Sequence, residues 1–435
     1  MQPSRLSRLI VVVMFLVAPL GAPAQRGGLP SRGGPPTGIG PPDWRGGLPS
    51  GANARAGLAA DRDPSAVPRD HRTQARERWR EHREQLDFDP QGQLIVRGEI
   101  VGLAASPQAV TSAQALGFTV KRQDSLDDLG MAIVVFGVPR GIAIDRALEQ
   151  MRSADLQGTY DFNHIYLESG DVRAGETAAA GQGLPAGPKP SFSSRIGLLD
   201  GAVEAHHPAL RSATVHARGC RSTSVPTAHG TAVASRLVQG IGGAGTTLQA
   251  VDLFVVDIFC AAPTGGSVEA FIEGLAWLMR ERIPVINVSL VGPTNALLER
   301  VVEMANERGH LIVAAVGNDG PAAPPLFPAG YPGVVAVTGV SRSHKVLPEA
   351  GRGRFVTFAA PGADIVVALL PDRFGPARGT SFAAPIVAGL LALQLERPDP
   401  QLARQAVEKL AASAMVLGAP GRDPVYGYGC VGCNW

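Results

Sequence analysis

Several features that would point to other functions are scarce or missing. Lys and Arg number 40 against 38 Asp and Glu, leaving a formal net charge of +2. With that balance, and no basic stripe interleaved with aromatics, nothing marks a nucleic-acid partner. Aromatic residues make up only 5% of the 435-residue chain. The one long apolar run is Leu9 to Leu20, shorter than a bilayer span requires. Only four cysteines occur, Cys220, Cys260, Cys430 and Cys433. A single Cys430-x-x-Cys433 without a second pair or nearby His falls short of a structural zinc set, and no thioredoxin-like helix follows it to make a redox motif.

The N-terminus carries Arg5 and Arg8, then the apolar run, then Ala22-Pro23-Ala24. This pattern reads as a secretory signal peptide removed before Gln25. The expected destination is secreted or periplasmic, with no membrane span left after cleavage. In such a compartment four cysteines allow three complete disulfide pairings. Residues 25–70 are dominated by Gly, Pro, Arg and Ser, and Arg-Gly-Gly-Leu-Pro-Ser occurs at 26–31 and again at 45–50. Such a composition cannot bury enough apolar surface to offset chain entropy, so a disordered spacer is expected.

A chain of this length exceeds what one core usually serves, which predicts two folded units and linkers. His71 to Leu86 is a charged, helix-compatible stretch expected to be solvated, with i,i+4 pairs. From 91 to 168 the pattern predicts strand Leu94–Leu103, helix Pro107–Leu116, strand Phe118–Arg122, strand Met131–Val138, helix Ile142–Ala154 and strand Thr159–Leu167, a βαββαβ order. Residues 169–190 read as a loose linker open to proteolysis. Beyond 190, apolar runs at Leu253–Ile258, Val285–Leu290, Leu311–Val316 and Gly333–Val340 alternate with helical stretches at Val268–Arg280 and Asn295–Arg308. That alternation predicts an α/β fold with a parallel sheet covered on both faces, whose function should collect at the carboxyl ends of strands.

Chemistry-bearing residues fall in that second part. Arg195-Ile196-Gly197-Leu198-Leu199-Asp200-Gly201 is a β-like run ending in a carboxylate at a turn. His229-Gly230-Thr231-Ala232 opens a helix, and Gly379-Thr380-Ser381-Phe382-Ala383-Ala384-Pro385 sets a serine at the start of another. Val313-Ala314-Ala315-Val316-Gly317-Asn318-Asp319-Gly320 delivers an Asn to a turn. A serine hydroxyl is a poor nucleophile at neutral pH unless a base and an orienting carboxylate accompany it. His206, His207 and His216 lie nearer Asp200 in sequence but lack the Gly-Thr helix start, and are read as surface or loop residues.

These four motifs, in the order Asp, His, Asn, Ser, resemble the subtilisin-like (S8) serine peptidases over about residues 190–430. The resemblance implies a mostly parallel α/β sheet flanked by helices over 191–435. It also implies a serine endopeptidase with Asp200, His229 and Ser381 as catalytic triad and Asn318 as oxyanion donor. The βαββαβ unit over 91–168 resembles the family's ferredoxin-like prodomains, implying a self-processing zymogen inhibited by its own prodomain, with cleavage between about Leu167 and Pro190. Polypeptide substrates would pair with Ser289-Leu290-Val291-Gly292 and with Gly265-Gly266, while Ala315, Val316, Gly317 and Leu326 would bound the pocket before the scissile bond. Val291 and Leu326 stand where relatives often have Gly, which predicts small or medium apolar residues in that pocket. Ala232 replaces a common second His. The chemistry needs no cofactor. Structural calcium is frequent in the family, but no oxygen-rich loop identifies a site here. Family topology favours Cys220–Cys260 and Cys430–Cys433 as the disulfides. A non-catalytic relative would be expected to lose one of the four groups, and all four are present.

Overall fold

Strands covered by helices on both faces must be apolar on both faces, and the runs identified above build such a sheet. The computed structural model describes residues 70–172, 194–219, 224–241 and 251–433, all within the unit Asp61–Trp435. The expected signal peptide and most of the Gly/Pro-rich spacer lie outside the described residues. The central sheet contains β7 (Ser194–Asp200), β8 (Ala213–Arg218), β9 (Val251–Asp257), β11 (Val285–Val288), β13 (Leu311–Ala315), β14 (Val335–Val340) and β15 (Val356–Pro361). Its order is β15-β14-β13-β11-β7-β9-β8, with every neighbouring pair parallel.

Alternate side chains divide between two cores, as a period of two demands. Ile196, Leu198, Val255 and Val313 face α4 (Ala228–Ile241), α7 (Ala384–Ala392) and α8 (Pro400–Ser413). Leu199, Val256, Ile286 and Ala314 face α5 (Val268–Arg280) and α6 (Ala296–Glu307). The fold is thus α/β, with a parallel sheet sandwiched by helices.

The segment before it folds as an antiparallel sheet of β1 (Leu86–Phe88), β2 (Leu94–Leu103), β3 (Thr119–Leu126), β4 (Met131–Gly137) and β5 (Thr159–Glu168), with α2 (Pro107–Ala115) and α3 (Ile144–Ala154). Its two faces have different partners. Ile100, Val134, Phe136 and Phe162 pack with α2 and α3 residues such as Ala113 and Leu148. Their neighbours Val101, Leu103, Ile133 and Val135 join Phe271 and Ile272 of α5 in the larger core. The sheet therefore docks on the helical layer by alternation alone.

Boundaries differ from expectation where pairing decides them. β3 runs on to Leu126 because it stays paired with β4 through Leu126 and Met131. The charged helix α1 (His71–Glu81) stops there because Leu86 pairs with Val96 of β2. Nor is α1 merely solvated: His71 and Ala75 are buried, and Arg78 Nη1 donates to the Pro263 carbonyl at 2.6 Å. The expected strand Val285–Leu290 is interrupted at Ser289, after which Leu290–Val291 forms the separate strand β12. The expected loose linker begins as ordered chain, because Asp171–Val172 forms β6 and pairs with β17 (Arg373–Arg378).

Candidate active site

The first motif positions Asp200 as the last residue of β7, fully buried. Its Oδ1 accepts the Gly201 amide at 2.8 Å and lies 2.9 Å from His229 Nδ1. His229 stands in the first turn of α4, whose start is fixed by Thr227 Oγ1 accepting the Gly230 amide at 2.9 Å. Gly230 has a spatial reason: a Cβ there would come within 2.5 Å of the Gly201 carbonyl and 2.9 Å of the Ala202 carbonyl. Only a glycine lets the helix approach the turn that carries Asp200. The pair so formed holds an imidazole in one orientation against a buried carboxylate, which is what a general base needs.

Ser381 lies in a single 3-10 turn, Thr380–Phe382, between β17 and α7. It is fully buried, and its Oγ makes no hydrogen bond among the described residues. Asn318 follows β13, and its Oδ1 accepts the Thr380 amide at 3.2 Å. Thr380 Oγ1 in turn accepts the Gly317 amide at 3.2 Å. These bonds tie the Asn turn to the Ser turn.

Both turns converge on one carbonyl. Asn318 Nδ2 donates to the Ser169 carbonyl oxygen at 2.7 Å, and the Ser381 amide donates to the same oxygen at 3.3 Å. Ser169 directly follows β5, which is held by backbone pairing along its length. Gly266 and Ser267 of β10 (Gly266–Ser267) face Tyr166 and Ile165, while Leu290 and Val291 of β12 face Glu168 and Leu167. The Ser169 amide donates to the Ser289 carbonyl at 3.2 Å. An extended peptide is therefore bracketed as an added strand between two edges, the β-augmentation mode of peptide recognition. Ligand atoms of Glu168, Asp200 and His229 lie within 4.8 Å of one another, which sets the imidazole beside the residue preceding Ser169.

Of the expected pocket residues, Gly265 allows close approach, since a Cβ there would meet Ile165 Cγ2 at 2.7 Å. The Leu326 side chain lies against Gly317, with Cδ1 2.5 Å from where a Gly317 Cβ would be. Ala315, Val316 and Val291 are buried, and Gly292 bridges Phe327. Ser289 Oγ donates to the Ser381 carbonyl at 2.8 Å, bracing the serine turn. Ser169 itself is buried, and its Oγ is 3.3 Å from Asn318 Nδ2 and 3.4 Å from Thr380 Oγ1.

Three participants escaped the sequence reading. Ser169, Gly170 and Tyr166 carry no motif; the available signal was only that a predicted strand contains Tyr166 and ends just before Ser169 and Gly170. Tyr166 is fully buried, stacks edge-on against Phe271 at 5.2 Å, and its hydroxyl donates to the Pro293 carbonyl at 2.9 Å. Burial raises its phenol well above the ordinary value. His207 lies in a loop, as expected, but it is not at the surface. It is buried, its Nδ1 accepts the Ala209 amide, and its Nε2 is 3.0 Å from the Arg373 carbonyl. His206 and His216 remain exposed.

Charged groups reinforce the docking of β5 and its sheet. The Asp161 carboxylate accepts the Ala296 amide at 2.8 Å at the N-terminus of α6, where the helix dipole favours an anion. Arg122 bridges Glu99 and Glu269 at 3.1 and 2.5 Å, and Glu269 holds the guanidinium well above its usual range. At the outer edge the His71 amide donates to Asp319 Oδ1 at 2.6 Å. Burial lowers the His71 imidazole to about 4, with Asp70 opposing and Arg72 adding to that shift, and burial raises Asp319. Docked α1 therefore prefers neutral His71. Its contribution is complete above the ordinary histidine value near 6.5 and is lost as pH falls towards 4. The raised Asp319 acts in the opposite sense at the acidic end of that window. Protection factors of the α1 amides, corrected for the intrinsic rate at each pH, should fall between pH 7 and 4.5, and equal protection at both would refute this coupling.

Cys430 and Cys433 lie within disulfide reach, with Cα atoms 6.0 Å apart. Cys260 is disulfide-bonded, while its expected partner Cys220 lies outside the described residues. No helix among those residues is long and apolar enough to cross a membrane.

Comparison with known proteins bears on this geometry. The sequence profile of the subtilase family, peptidase S8, matches residues 193–429, more than half of the chain. The minor extracellular protease Epr of Bacillus subtilis is 33% identical over 167 residues, covering 38% of this chain and 26% of its own. Subtilisin E of the same organism is 30% identical over 240 residues, covering 52% of this chain and 61% of its own. The chain thus spans between about a quarter and three fifths of the length of these relatives. Fervidolysin from Fervidobacterium pennivorans, a keratinolytic enzyme related to subtilisin, matches in fold at 17% identity and a TM-score of 0.62. That likeness covers 80% of this chain and 62% of fervidolysin, and so extends beyond the region matched by the family profile.

Proposed function

Since the chain belongs to the subtilase family, we propose that it is a serine endopeptidase made as a self-processing zymogen. Ser381 attacks the peptide carbonyl. His229 takes its proton and later gives it to the leaving amine, and Asp200 fixes the imidazole tautomer and stabilises the imidazolium. Asn318 Nδ2 and the Ser381 amide bind the developing oxyanion. The observation that carries this reading is the Ser169 carbonyl, held by both of those donors at the end of a strand bracketed by β10 and β12.

On this reading β5 is the enzyme's own first substrate, and the sheet that carries it is the inhibitory prodomain. The scissile bond is Ser169–Gly170, within the 167–190 window expected from sequence. After cleavage, the ion pairs and apolar face described above keep the prodomain docked until it is degraded. Export is part of the proposal, in keeping with the N-terminal signal pattern and with Epr, whose name describes an extracellular protease. N-terminal sequencing of the matured enzyme tests the processing step: Gly170 at the new terminus is expected, and a terminus before Glu168 or beyond Val172 would refute it.

Specificity before the scissile bond follows from volume. Leu326 occupies space against Gly317, so the pocket suits the small Ser169 and small or medium apolar residues such as Ala, Val or Leu better than Phe, Tyr, Lys or Arg. Replacing the leucine by glycine removes an apolar side chain where the substrate's should go. Differences of one or a few methylenes typically change discrimination about 10- to 200-fold. Leu326→Gly should raise kcat/KM for Phe relative to Ala by roughly tenfold or more, read on peptides varied at that one position. An unchanged ratio would mean that Leu326 does not bound the pocket.

A further inference from the structure

We propose that the cleft selects glycine as the first residue after the scissile bond, and that Phe382 is the residue that enforces this. The inference rests on the reading of Ser169–Gly170 as the bond presented for cleavage. It concerns the leaving side, to which neither the sequence motifs nor the family match assigns a preference.

Three observations carry it. First, Gly170 cannot move far. On one side the Ser169 carbonyl is fixed by Asn318 and the Ser381 amide. On the other, Asp171 and Val172 pair antiparallel with Arg378 and Ala377 of β17. Second, the place a side chain would take is occupied. A Cβ on Gly170 would fall on Ser381 Oγ, 2.9 Å from Phe382 Cε2 and 3.5 Å from the Arg378 carbonyl.

Third, neither wall yields. Phe382 is fully buried within the core that includes Ala383, Val387 and Leu391, and its ring lies 5.7 Å from that of His229. The backbone of Gly170 also lies close to a second glycine: a Cβ at Gly379 would come 3.0 Å from Gly170 Cα and 3.2 Å from the Ser169 carbonyl oxygen. A shift of Gly170 in that direction is closed as well. Gly170 does not have the positive φ that would favour glycine on conformational grounds, so the demand is spatial. Overfilling a site whose walls are packed is disfavoured as strongly as leaving a void.

The matured enzyme should cleave the octapeptide corresponding to Ile165–Val172 between Ser and Gly. Versions with Ala or Leu in place of Gly170 should be cleaved with kcat/KM lower by about 10- to 200-fold. In the full-length chain, Gly170→Val should accumulate unprocessed. Phe382→Leu and Phe382→Ala should bring the Gly-to-Ala ratio towards one. That ratio, taken on a single preparation, does not depend on how much of a core variant is folded. Equal rates for Gly, Ala and Leu peptides would overturn the inference while leaving the peptidase reading intact. A ratio unchanged in both Phe382 variants would overturn the role of Phe382. Failure of the wild-type enzyme to cleave the Gly peptide and casein alike would instead sink the peptidase reading itself.

Discussion

Ser381→Ala should be isolated as the longer chain, uncut at Ser169–Gly170, with casein hydrolysis reduced by about a million-fold, the loss measured when the nucleophile of subtilisin is removed. The variant should fold as well as the parent. Ser381 Oγ makes no hydrogen bond among the described residues, so its removal leaves no buried partner unsatisfied, and surrounding contacts such as Ser289 Oγ to the Ser381 carbonyl use the backbone. An unchanged thermal midpoint with abolished processing and hydrolysis separates a chemical role from a structural one. Normal processing of the purified alanine variant would assign maturation to another protease, and retained casein hydrolysis would overturn the assigned nucleophile.

The second large effect belongs to Asn318. Its amide is one of two donors on the Ser169 carbonyl, and removing such a donor typically costs about 2.7–4 kcal/mol of transition-state stabilisation, or 10²–10³ in kcat. Asn318→Ala should show that loss in kcat with little change in KM, because backbone pairing with β10 and β12 supplies the binding. The substitution also takes the acceptor from the Thr380 amide. Asn318→Asp keeps an acceptor there while removing the donor, and should be impaired at least as much. A kcat within fivefold of the parent for both variants would exclude Asn318 from oxyanion binding.

The legible parts of the site were those in which local chemistry and local conformation coincide. Asp200 closes an apolar strand, His229 opens a helix behind a glycine that permits close approach, and Ser381 sits in the turn between a strand and a helix. Each motif is complete within a few residues. The alternating strands of the N-terminal sheet were legible for the same reason, although pairing moved their ends. The charged helix α1 was misread because its Arg and Glu content conceals a short buried face at His71 and Ala75. That face exists only because β5 and the Asp319 turn lie beneath it.

The sequence by itself determined the α/β class, the four chemical groups and their order, since these depend on hydrophobic period and on motifs closed within single turns. Only the tertiary structure decided which carbonyl meets the donors, that Tyr166 is buried with its hydroxyl on Pro293, and that Gly170 lies close to both Phe382 and Gly379. Those contacts join residues more than a hundred positions apart. Their distances are set by how one sheet docks on two helices, and no local pattern of side chains encodes that docking.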